Sequence, residues 1–134
     1  MQWQVIPTKV HGAEDYMTVG TLPMLTRMAG LSPKARRILD VVTGTMALQS
    51  LTTDYELGAR RLMPMTGHLA LDVAMGAGLI GVGSLMSGLT RADRAMFVGL
   101  GAFALAMAAL TKRRPADEPF TSSSANLEES LNPA

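Results

Sequence analysis

The chain has no cysteine in its 134 residues, which removes disulfides, thiolate metal ligands and cysteine nucleophiles. Aromatic residues supply only 4% and charged residues 17%, against 48% apolar, so the apolar content is carried by Ala, Gly, Leu, Met and Val. The formal net charge of +1 is too small for a phosphate-backbone partner, and no nucleic acid is expected. Residues 1–6 lack the basic stretch, apolar run and small-residue cleavage site of a secretory leader, so they are expected to remain on the mature protein. The Gly-rich run over 76–88 has no Lys-Ser/Thr ending and no preceding strand, which excludes a phosphate loop. No serine stands in a nucleophile elbow, and no enzyme activity is expected.

What the chain does have is an internal copy. Pro64, His68, Ala70 and Asp72 repeat Pro7, His11, Ala13 and Asp15 at an offset of 57 residues, and these are its two histidines. Proline suits a helix start, where its missing N–H costs nothing, and the i+4 spacing sets His and Asp on one helix face. The same offset aligns Lys34 with Arg91, Arg37 with Arg94, Gly44 with Gly101 and Leu48 with Leu105.

Each copy therefore reads as a helical hairpin. The first helix runs from Pro7 toward Gly30 with a kink at Pro23, and the second starts at Ser32-Pro33 and reaches about Thr53. The third starts at Pro64 and runs toward Thr90; Thr90 and Asp93 then form a capping box for a fourth that ends near Leu110. The expected organisation is all-α, with hairpin repeats over 1–57 and 58–114 and a disordered polar tail over 115–134.

The glycines of the third helix argue for a bilayer. At about 1 kcal/mol each relative to Ala they would weaken a helix in water, whereas in lipid they allow close approach through small-xxx-small pairs. Those pairs are Ala74/Gly78, Ala77/Gly81 and Ser84/Gly88. Four transmembrane helices are expected, with the two hairpins related by a twofold along the membrane normal and both His-x-x-x-Asp motifs at one face. The basic residues divide six to six between the two faces, so the cluster at Lys112–Arg114 and the lack of a translocated signal are what favour cytoplasmic termini in an inner membrane.

Several of these segments resemble a known family. Ile6-Pro7, His11-Gly12 and Asp15-Tyr16 in the first copy, and Thr53-Asp54-Tyr55-Glu56-Leu57-Gly58 followed by Arg61 to Pro64 and His68 to Asp72 in the second, look like the bacterial SPW-repeat membrane proteins. The resemblance covers roughly residues 5–112 and implies a small, duplicated, four-helix membrane protein without an established activity. The name-giving Ser-Pro-Trp is reduced to Leu22-Pro23-Met24 and Ser84-Leu85-Met86.

The candidate site residues are His11, Asp15, His68 and Asp72. They can serve as i,i+4 pairs that fix helix packing, or as ligands for a metal, haem or quinone; no resident cofactor is assigned. Asp54, Glu56, Arg60 and Arg61 are expected to form an interfacial charge network. The expected function is that of a structural or accessory membrane subunit, packing through Gly/Ala faces into a homo-oligomer or a larger complex, with a ligand-binding module as the alternative.

Overall fold

Prolines and hydroxyl side chains set where the helices begin. Pro7 and Pro64 are the last extended residues before α1 (Thr8–Met28) and α3 (Met65–Leu85), one position earlier than the first helical residue. Ser32 caps α2 (Pro33–Thr52) by accepting the Ala35 N–H, and Pro33 opens that helix. The expected capping box opens α4 (Arg91–Leu110): Thr90 accepts the Asp93 N–H, and the Asp93 carboxylate accepts the Thr90 N–H.

The computed structural model describes residues 3–114, and the tail expected to be disordered over 115–134 lies outside them. α1 continues through Pro23 without interruption of its helical assignment. α3 stops at Leu85 rather than near Thr90, because Met86 is extended and Gly88 turns with φ +75°. Gly88 is therefore a turn residue, not a helix-packing one.

The four helices form two hairpins, α1 against α2 and α3 against α4. Between the hairpins run two short parallel seams. β1 (Thr53–Asp54), leaving α2, pairs with β2 (Met63–Pro64), which leads into α3. Ile6, leading into α1, pairs in parallel with Thr111, which leaves α4. Each hairpin thus lays its leading segment against the trailing segment of the other, a twofold exchange that puts both His-bearing helix starts at one end of the bundle. At the opposite end, Asp93 also accepts the Ser32 N–H at 2.9 Å and ties the two loops together.

Apolar residues pack in two clusters. Leu31, Ala35, Leu39, Leu79 and Phe97 fill the loop end, while Tyr55, Met65, Leu69 and Ala108 fill the seam end. Met65 is buried in the seam-end cluster.

Close approach of α3 and α4 rests on Gly76, Gly83 and Gly101. A methyl group at Gly101 would stand 2.5 Å from the Gly76 carbonyl oxygen, and one at Gly83 would stand 2.9 Å from Phe97 Cβ. Gly78 and Gly81 meet nothing within 4 Å, and Ala74, Ala77 and Ser84 are exposed beside them. The small-residue face expected to pack helices is accordingly turned outward in the single chain.

α3 and α4 are each long and apolar enough to cross a membrane. α1 and α2 do not meet that description, since α1 carries Lys9, Glu14, Asp15 and Arg27, and α2 carries Lys34, Arg36, Arg37 and Asp40. Leu71, Val73, Val98, Phe103 and Leu110 of the apolar pair point outward.

Candidate metal centre

His11 and Asp15 are one turn apart on α1, and His68 and Asp72 are one turn apart on α3; all four are buried. The twofold exchange brings the two imidazoles edge to face, with their Nε2 atoms 3.3 Å apart. Each imidazole is nearer to the carboxylate of the other hairpin than to its own. His11 Nε2 lies 3.2 Å from Asp72 Oδ2 and 3.6 Å from Asp15 Oδ1; His68 Nε2 lies 3.2 Å from Asp15 Oδ2 and 3.4 Å from Asp72 Oδ2. The local i,i+4 pairs expected from spacing are thus outranked by crossed ones.

The hydrogen bonds around the centre assign its tautomers. Thr53 Oγ1 donates to the Gln49 carbonyl at 2.7 Å, and Thr111 Oγ1 donates to the Met107 carbonyl at 2.6 Å. With its one proton so used, each hydroxyl accepts from an imidazole: Thr53 from His68 Nδ1 at 2.7 Å, and Thr111 from His11 Nδ1 at 2.8 Å. Both Nδ1 atoms therefore carry hydrogen, and in neutral rings both Nε2 lone pairs point at each other and at the two carboxylates.

The carboxylates are held as well, and only from α2. Gln49 Nε2 donates to Asp72 Oδ1 at 2.7 Å, and Ser50 Oγ donates to Asp15 Oδ2 at 3.0 Å. Asp72 Oδ2 is buried with no hydrogen-bond donor. In neutral rings four acceptors thus converge with no donor among them, an arrangement that is repulsive unless a proton or a metal ion sits within it.

The spacing suits a metal ion. Ligand atoms around a tetrahedral ion at about 2.05 Å stand about 3.35 Å from one another. The triangle His11–His68–Asp72 has edges of 3.3, 3.4 and 3.2 Å. Asp15 flanks the same two imidazoles through both of its oxygens, Oδ2 at 3.2 Å from His68 Nε2 and Oδ1 at 3.6 Å from His11 Nε2. An ion among these atoms takes two imidazoles and one carboxylate, and the second carboxylate balances its remaining charge. Haem does not fit, because Nε2 atoms at 3.3 Å flanked by carboxylates leave no gap for a macrocycle.

The centre adjoins a cavity of about 40 Å³, which reaches His11, Asp15 and Asp72 and is otherwise lined mainly by apolar side chains, including Met46, Met75 and Phe103. That is room for two or three waters, enough to complete a coordination sphere. Glu14 also lines it, with its carboxylate accepting from Thr18 Oγ1 at 2.6 Å.

Tyr55 closes the seam end, with its ring centroid 6.0 Å from that of His68 and its ring against Gly12, where any side chain would strike it. Burial pushes its hydroxyl above the usual phenolic range. The interfacial charge residues are only partly joined. Arg61 pairs with Asp54 at 3.3 Å in the open, Glu56 accepts from Thr8 Oγ1 at 2.7 Å, and Arg60 is fixed by its N–H to the Leu51 carbonyl.

Spacing alone found the four converging residues but missed Thr53, Thr111, Gln49, Ser50 and Tyr55. The threonines are 58 residues apart, not 57, because the loop of the second hairpin (86–90) is one residue longer than that of the first (29–32). Aligning the helix N-caps Ser32 and Thr90, also 58 apart, would have revealed them. No known protein family, curated protein or solved structure matches this chain.

Proposed function

We propose that the chain is a small integral membrane protein whose two hairpins hold one divalent first-row transition-metal ion between them. The observation that carries this reading is the convergence of His11 Nε2 and His68 Nε2 with the Asp15 and Asp72 carboxylates, each imidazole oriented from behind by a threonine. Two imidazoles with a carboxylate suit Zn²⁺, or Fe²⁺ with open positions toward the cavity. The site is a binding centre rather than an enzyme, and the crossed ligands make the ion a clamp between repeats. The resemblance to SPW-repeat proteins and the apolar α3–α4 pair support a multi-pass inner-membrane location, with α1 and α2 completing four spans and the termini cytoplasmic.

The test is metal content. Full-length protein purified from membranes in mild detergent is expected to carry about one Zn²⁺ or Fe²⁺ per chain by elemental analysis, and the His11→Ala/His68→Ala variant none. Wild-type protein with no more metal than that variant would sink the reading. Recovery in the soluble fraction would sink the membrane part.

A second reading concerns assembly. The outward face of Gly78 and Gly81, with Ala74, Ala77 and Ser84 exposed beside it, supports an accessory role in which the chain packs against a second copy or a larger membrane complex. Replacing Gly78 and Gly81 with Leu is expected to reduce the assembled mass in mild detergent, and an unchanged mass argues against it.

A further inference from the structure

The two seams are both parallel but differ in charge, the first balanced and the second basic. In the first, the segment trailing α2 is acidic, with Asp54 and Glu56, and the segment leading into α3 is basic, with Arg60 and Arg61; Arg61 and Asp54 meet at 3.3 Å. In the second, the equivalents of Asp54, Tyr55 and Glu56 are Lys112, Arg113 and Arg114, and the equivalents of Arg60 and Arg61 are Trp3 and Gln4. Three cations there face no basic-acidic complement. Among the described residues none of the three has an ion pair, and all are exposed.

Shape agrees with charge. Trp3, Gln4, Lys112, Arg113 and Arg114 line a groove of about 940 Å³ at the end of α4. A second groove, of about 370 Å³, shares Gln4, Ala109 and Arg113 with it and runs along the α3–α4 face over Leu69, Val73 and Leu105. Both fall in the range of about 300–1,000 Å³ common for ligand sites. A basic cradle with an interfacial tryptophan thus continues into an apolar channel on the two helices apolar enough to cross a bilayer.

We propose that this composite groove binds an anionic glycerophospholipid, its phosphate between Arg113 and its neighbours Lys112 and Arg114, and an acyl chain along Val73 and Leu105. A soluble anion would leave the apolar channel unused, and a zwitterionic lipid would leave the three cations uncompensated. The proposal rests on the bilayer reading and is independent of the metal.

Native mass spectrometry of the full chain, purified in mild detergent with equal phosphatidylglycerol and phosphatidylcholine, tests it. Wild-type protein is expected to retain phosphatidylglycerol selectively. At about fivefold per basic residue near an anionic surface, the Lys112→Gln/Arg113→Gln/Arg114→Gln variant is expected to lose on the order of 100-fold in that retention. These side chains are exposed, so helical content by circular dichroism and metal content should stay as in wild type. Val73→Trp, which fills the channel without touching charge, is expected to lower retention too. Equal retention of both lipids, an unaltered triple variant, or glycerol phosphate competing as strongly as the lipid would each overturn the proposal. So would retention only after removal of residues 115–134, which would make the acidic tail the occupant. If the chain is absent from membranes, the bilayer reading itself fails; if it is embedded but unselective, only this site does.

Discussion

The two hairpins share a plan and differ in what fills it. In α3–α4 the glycines form the helix contact, through Gly76, Gly83 and Gly101; in the first hairpin Gly20 and Gly44 face open space. Conversely, α2 contributes Gln49 and Ser50 to the buried carboxylates, while their equivalents on α4 are Met107 and Ala108, and the cavity opens beside Met107. The first hairpin thus supplies polar support and the second supplies apolar packing, around a centre to which each gives one His and one Asp. A symmetric ligand set does not need symmetric surroundings.

The comparison breaks most sharply at the histidines. His11→Ala and His68→Ala are each expected to lower metal affinity by at least about 100-fold, beyond the 10–100-fold that losing an outer hydrogen-bond partner costs. Equal losses in metal titrations would keep the centre symmetric; a loss confined to one variant would show that one repeat binds alone. Thr53→Val and Thr111→Val come next, at about 10–100-fold each, because each removes the acceptor that holds an Nδ1–H. If either variant binds as wild type, the assigned tautomer is wrong.

Packing sharpens the contrast on a smaller scale. Gly101→Ala forces a methyl against the Gly76 carbonyl and Ile80, and is expected to destabilise the fold by about 1–3 kcal/mol in unfolding measurements. Gly44→Ala meets no neighbour and is expected to be neutral, or stabilising by up to about 1 kcal/mol. Similar effects at both sites would erase the difference between hairpins. The smallest change is Arg61→Gln, where an exposed pair with Asp54 at 3.3 Å is worth about 0–1 kcal/mol and should fade with salt.

Much of this was legible without coordinates. Helix starts are local events: Ser32-Pro33 and the Thr90–Asp93 box act through backbone groups within one turn, so sequence spacing reports them directly. The copy at 57 residues likewise marked His11, Asp15, His68 and Asp72. The end of α3 was misjudged, because an uncharged run carries no stop signal and Gly88 reads equally as helix or turn until its φ is known.

By itself, then, the sequence determined four helices and a pair of His-Asp faces, since periodicity and capping depend on neighbours a few residues away. Only the tertiary structure decided which carboxylate each imidazole meets, that threonines from the opposite repeat orient both rings, and that Gly76 and Gly101 pack while Gly78 and Gly81 do not. Those outcomes depend on how one hairpin is rotated against the other. That rotation is tied down by the exchanged seams, while the loop one residue longer in the second hairpin changes the offset of equivalent residues from 57 before it to 58 after it.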